Sequence, residues 1–174
     1  MENLQIRDLK PEEIDVRIAT ISEKGASLLL YKDARVDMDI LDETFGRNGW
    51  QRDHKELKGN IYCGVSIWDD EKKQWITKWD AGAESYTEKE KGEASDSFKR
   101  ACFNIGIGRE LYTASFIWVP SNLINMVSKN GKYTTNDKFH VSAIKIVNKQ
   151  IIGLQIKNQK GTEVFLLKPP TSQG

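Results

Sequence analysis

The sequence predicts an α+β fold, and three patterns in it carry that expectation. Ile61, Cys63, Val65 and Ile67 alternate with Tyr62, Gly64, Ser66 and Trp68, and Trp75, Thr77 and Trp79 alternate again after the polar run Asp69 to Lys73. Period-2 alternation marks half-buried strands, and short turns between such runs mark an antiparallel meander. Ala94, Phe98, Ala101, Cys102 and Ile105 fall on one helical face, the stripe a helix needs to bury against a sheet. After Pro120 alternation returns at Phe139, Val141 and Ala143 and again at Ile152, Leu154 and Ile156. The expected architecture is therefore N-terminal helices, an antiparallel β-meander packed on a long helix, and a C-terminal β-hairpin extension.

Each element has a local justification. Leu9-Lys10-Pro11-Glu12-Glu13 reads as a helix start. Proline suits the first helical position, and acids suit the positive end of the dipole. Ile14, Ile18 and Ile21 then share a face. A second helix is expected from Asp33, a plausible N-cap, to Phe45, with Met38, Leu41 and Phe45 as its stripe. Gly46 can end it in a left-handed conformation.

Asn48-Gly49 is a tight-turn signal, Trp50 to Leu57 the first meander strand, and Lys58-Gly59-Asn60 the next turn. Ser85 and Thr87 each precede a Glu by three residues (Glu88 and Glu90), so either pair suits a capping box for the long helix. Gly106 and Gly108 end that helix. Asn148-Lys149 turns the C-terminal hairpin, and Asn158-Gln159-Lys160-Gly161 leads to a last strand, Val164 to Leu167.

The 174 residues suit one domain, or one with a small appendage. No stretch approaches the ~18 to 20 apolar residues of a membrane span, and Met1 to Lys10 lacks a signal-peptide core. A cytoplasmic protein is the expectation. Cys63 and Cys102 stand far apart in apolar surroundings and read as small buried hydrophobes, not a disulfide framework or zinc site.

Net charge is +1, but residues 121–174 hold eight Lys and two acids, while residues 1–120 hold 18 basic and 23 acidic residues. The basic segment is either a footprint for a polyanion or a lysine-rich solvated strand surface. The sign change near Pro120 suggests a core domain over 1–120 and a Lys-rich β extension of it over 121–174.

Catalytic constellations are scarce. His54 and His140 have no partners at metal-ligand spacing. No nucleophile elbow or Cys/His motif appears. Asp69 and Asp70 with Glu84 and Glu88 suit Mg²⁺ in a small nuclease, or else a hairpin turn and a helix start. Gly106-Ile107-Gly108 follows a helix, lacks a third glycine, and so is not a dinucleotide fingerprint.

Lys99-Arg100 near the end of the long helix has two readings: cations at the negative dipole end, or phosphate contacts. Trp50, Tyr62, Trp68, Trp75 and Trp79 crowd the meander. They suit base stacking, a core or a subunit interface.

Lys91-Gly92-Glu93-Ala94-Ser95-Asp96-Ser97-Phe98-Lys99-Arg100-Ala101 with Asn104-Ile105-Gly106-Ile107-Gly108 resembles the signature helix of the Rad fifty-two type single-strand annealing proteins, particularly their phage and bacterial branch. Phe45 to Trp50 resembles that family's helix-to-strand corner, Tyr62 to Ile67 its next strand, and Pro11 to Ile14 with Arg17 its opening helix. The resemblance spans roughly residues 10–113.

It implies ATP-independent binding and annealing of single-stranded DNA in homologous recombination and repair, a ring-shaped homo-oligomer, and no cofactor, metal or catalytic residue. It maps the DNA-lining pair onto Lys99 and Arg100, a further basic residue onto Arg35, and an outer basic site onto Lys89 and Lys91. A recombinase, nuclease or single-strand-binding protein is an expected kind of partner, and a bacterial cell or its nucleoid the expected location. The rival readings are a single-stranded DNA-binding module that does not anneal, and the Mg²⁺-dependent nuclease.

Overall fold

The computed structural model describes residues 5–82 and 89–170. In chain order the elements are β1 (Asp15–Ser22), β2 (Gly25–Tyr31), α1 (Ala34–Phe45), β3 (Trp50–Leu57), β4 (Asn60–Asp69), β5 (Gln74–Ala81), α2 (Lys89–Ile105), β6 (Ile117–Pro120), β7 (Met126–Lys129), β8 (Lys132–Thr135), β9 (Phe139–Val147), β10 (Gln150–Asn158) and β11 (Glu163–Leu167). Short 3-10 turns occupy Pro11–Glu13, Arg109–Thr113 and Ser121–Leu123. The fold is α+β, with antiparallel strand pairing. Two compact units arise: Met1–Arg7 with Ala34–Gly108, and Asp8–Asp33 with Arg109–Gly174. The expected boundary near Pro120 falls inside the second unit. Among the described residues no helix is long and apolar enough to cross a membrane.

The first unit is a three-stranded sheet, β3-β4-β5, with α2 lying on β4 and β5. The meander follows the expected strand order and turns. Lys58 and Gly59 both take positive φ (53° and 78°), as a two-residue hairpin turn requires. At the β4–β5 turn, Asp69 accepts hydrogen bonds from the N–H groups of Glu71 and Lys72, both at 3.0 Å.

Directly paired residues share a sheet face. Trp50, Arg52 and His54 of β3, Cys63, Val65 and Ile67 of β4, and Ile76, Lys78 and Asp80 of β5 therefore stand on the α2 side. Cys63, Val65, Phe98, Ala101 and Cys102 are buried there as the core. Burial pushes the Cys63 thiol up to about 11, so it stays an unreactive thiol at neutral pH. Neither cysteine forms a disulfide.

The expected helix over Ile14 to Ile21 is corrected to a strand. Only Pro11–Glu13 forms a helical turn, where Glu13 accepts from the Lys10 N–H at 2.8 Å. Ile14, Ile18 and Ile21 have helical spacing, yet a bulge between Ile18 and Thr20 produces the same spacing in β1. The extra residue returns Ile21 to the face of Val16 and Ile18, opposite Ala26, Leu28 and Leu30 of β2. β-branched residues favour that extended outcome. α1 matches the expected second helix, and Gly46 follows it with φ 76°.

The C-terminal strands are also more than a hairpin extension. β9, β10 and β11 join β1, β2 and β6 in one six-stranded sheet, ordered β11-β10-β9-β1-β2-β6. Its two ends, β11 and β6, approach one another. The curl encloses Leu28, Ile117, Val119, Val141, Leu154 and Ile156. The link is long-range: Asp15 of β1 pairs with His140 of β9. Period-2 patterns locate strands but do not name their neighbours. β2, β6 and the small β7–β8 hairpin were not anticipated either. Glu110, fully buried, fastens this unit's N-terminal segment by accepting from the Leu9 N–H at 2.8 Å.

Candidate nucleic-acid interface

The last turns of α2 carry the cations singled out by the sequence. Three contacts fix the helix on the meander. Glu93, buried, accepts from the Ile61 N–H at 2.7 Å. The Phe98 ring stacks on Trp50 with centroids 6.2 Å apart and lies under the Arg52 guanidinium at 4.8 Å. Asn104 donates to the Trp79 carbonyl at 3.2 Å and to Asp80 Oδ2 at 3.1 Å. Close approach at the strand end demands glycine: a Cβ on Gly82 would sit 2.3 Å from the Glu93 carbonyl oxygen. The helix therefore has one rotational setting, set by its buried stripe.

That setting places Lys99 half-buried at the edge of the stripe and Arg100 on the exposed side. Arg100 Nε lies 3.5 Å from Asp80 Oδ1, a partly exposed pair. Such pairs contribute about 0.2–1 kcal/mol. Its only ion pair among the described residues uses Nε, which leaves the two amino groups of the guanidinium for another acceptor. Lys99 has no hydrogen bond or ion pair among the described residues.

Two further cations share this side of the meander and were not anticipated. Arg52 and Lys78 flank Val65 in one cross-strand row. In the sequence Arg52 lies within the expected strand Trp50 to Leu57, and Lys78 between Thr77 and Trp79 of the next alternating run, with nothing to single out either. Strand pairing, which no local pattern specifies, puts them on the α2 face.

The other expected residues are not gathered at this position by any contact on view. Arg35 is exposed on the first turn of α1. Lys89 and Lys91 lie on the first turn of α2, and their side chains fall outside the described residues, as do Ser85, Thr87, Glu84 and Glu88. Of the carboxylates considered for Mg²⁺, Asp69 builds the β4–β5 turn, and Asp70 accepts from the Trp68 indole N–H at 3.0 Å. His54 faces α2, with Nε2 3.3 Å from the Ala94 carbonyl oxygen.

The family model of the Rad52/22 double-strand break repair proteins matches residues 2–130. The chain belongs to the Rad52/22 family. The match covers the whole meander and α2 of the first unit, together with β1, β2, β6 and β7 of the second. No curated protein matches the chain. Membership makes this a DNA-binding protein of recombination and repair, from a family that oligomerises. The cations at the C-terminal end of α2 are its candidate contacts to the phosphate backbone.

Proposed function

We propose that this Rad52/22 family protein binds single-stranded DNA through the α2 side of its meander and anneals complementary strands without a nucleotide. The observation that carries the reading is the state of Lys99 and Arg100. Among the described residues Lys99 has no hydrogen bond or ion pair and Arg100 uses only Nε, on a helix whose buried stripe sets its rotation. Arg52 and Lys78 extend the same cationic surface.

Phosphates neutralised there would release counterions, so binding tolerates any sequence and weakens with salt. The protein contributes concentration and backbone geometry, and Watson–Crick pairing contributes specificity and driving force. No proton transfer or bond cleavage is needed, so the protein acts as a binder and not as an enzyme. The likeness to the phage and bacterial branch supports action in a bacterial cell.

A fluorescence annealing assay tests this with two complementary labelled oligonucleotides, with and without ATP and Mg²⁺. Acceleration in the absence of both is expected. A requirement for ATP, or strand degradation in Mg²⁺, overturns the reading. Tight single-strand binding with no gain in annealing rate supports a module that only protects.

A further inference from the structure

Arg52 gives its charge to a ring and not to a carboxylate. Its guanidinium carbon stands 4.8 Å from the Phe98 ring centroid. Among the described residues it makes no hydrogen bond or ion pair. By contrast Arg7 pairs with Glu43, Arg47 with Asp42 and Arg100 with Asp80. An aromatic ring attracts a cation through its quadrupole and supplies no oxygen acceptor. Arg52 is therefore held in place while its N–H donors have no oxygen partner among the described residues.

The support beneath Arg52 is tied to three elements. Phe98, 1% exposed, belongs to the buried stripe of α2. Its ring stacks on Trp50 of β3 with centroids 6.2 Å apart. Trp50 in turn donates its indole N–H to Asp42 Oδ1 of α1 at 2.7 Å. Trp50 and Arg52 are two apart on one strand, so both side chains stand on the same face, and both reach the same ring. A side chain already ordered by such a contact loses less freedom when it binds.

The position suits a ligand that also meets the helix cations. Phe98 is the immediate chain neighbour of Lys99. α2 lies on β4 and β5, and residues 51–57 of the edge strand β3 are exposed. Across the sheet the row of Arg52 continues through Val65 to Lys78 and holds no carboxylate. In the next row Asp80 accepts from Asn104 and faces Arg100.

A guanidinium presents its donors as a planar fork that matches two oxygens of one phosphate, whereas an ammonium is a point charge. We propose that Arg52 takes one backbone phosphate of single-stranded DNA in this bidentate way, so that lysine cannot replace it. Arg52 then fixes the orientation of the backbone as well as neutralising it, and the Phe98–Trp50–Asp42 chain keeps the fork in place. The inference rests on the reading that the α2 side binds single-stranded DNA, and adds to it a residue that sets how the strand lies.

Arg52→Lys, Arg52→Ala and Lys99→Ala/Arg100→Ala test it, each checked for fold by circular dichroism and a cooperative melt. Arg52→Lys keeps a cation for Phe98, so it decides the matter if Arg52→Ala fails to fold. Fluorescence anisotropy with a labelled 40-mer is read over a range of salt concentrations. Arg52→Lys should bind roughly tenfold more weakly, with one bond to a charged group lost. Its salt slope should match wild type, because the charge remains. Arg52→Ala should bind more weakly still, with the slope of log K reduced by roughly 0.7.

Phenylglyoxal labelling mapped by mass spectrometry gives a readout that a purely structural role would not move. Bound oligonucleotide should shield Arg52, and an unshielded Arg52 overturns the proposal. Arg52→Lys binding like wild type also overturns it, even where Arg52→Ala is weakened, since charge alone would then suffice. Weakened binding by Lys99→Ala/Arg100→Ala with intact binding by both Arg52 variants rejects this inference and leaves the DNA-binding reading standing. A wild type that binds no single strand rejects that reading, and this inference with it.

Discussion

Asp80 and Arg100 form an ion pair that joins the edge strand β5 to the exposed side of α2, with Oδ1 and Nε 3.5 Å apart. The same carboxylate accepts from the Ala81 N–H at 2.8 Å and from Asn104. Asp80 thus competes with any phosphate that approaches Arg100. Asp80→Asn keeps an oxygen acceptor and removes the charge. Single-strand affinity should rise by roughly 1.4- to 5-fold at low salt, since an exposed pair of this kind contributes about 0.2–1 kcal/mol. Fluorescence anisotropy with a labelled oligonucleotide checks this, and weaker binding would contradict a phosphate role for Arg100.

Lys99→Ala/Arg100→Ala should leave the fold in place, because Lys99 is only half-buried and Arg100 exposed, outside the buried stripe, and surface substitutions change stability by about ±0.5 kcal/mol. It should weaken binding of a 40-mer for every sequence and reduce the salt slope of log K by roughly 0.7 per lost contact. The control is Lys72→Ala/Lys73→Ala. These lysines lie in the β4–β5 turn beside Asp69 and Asp70, each pair at 3.6 Å. Equal loss in the control would make the effect one of net charge. Unchanged binding by the helix variant at two salt concentrations would remove the site.

Acid stability should depend in part on Asp137. Burial alone would raise its pKa, but hydrogen bonds from Gln159 Nε2 at 2.8 Å and from the Asn125 N–H at 2.7 Å outweigh that and hold it below the usual value. A lowered folded pKa gives stability that is present above the unfolded value of about 3.9 and lost as pH falls through the folded pKa. Urea unfolding at pH 7 and between about pH 4 and 2 should show this loss. Asp137→Asn should be less stable at pH 7 by about 1–3 kcal/mol, having lost bonds to a charged acceptor. Its decline in acid should be shallower. An identical acid limb in the variant would assign the sensitivity to other groups.

Much of the first unit was legible because its signals are local. Period-2 runs, two-residue turns and a helical stripe between Trp50 and Gly108 each specify their own backbone, and they also carried the family resemblance. The cation pair Lys99-Arg100 was visible for the same reason: the buried stripe at Phe98, Ala101 and Cys102 determines where its neighbours on the helix point. The N-terminal helix was misread because a bulge in β1 gives Ile14, Ile18 and Ile21 the spacing of a helix, and only pairing with β2 distinguishes the two.

Tertiary structure alone decided three things. Strand order placed β9 beside β1, more than a hundred residues away, because a sheet edge is satisfied by whichever strand the core brings to it. Register put Arg52 and Lys78 on the side of Lys99 and Arg100. Register also turned Trp68, Trp75 and Trp79 away from α2. A tryptophan in an alternating strand has two sides available, and the face that acquires the helix determines which rings stay partly exposed.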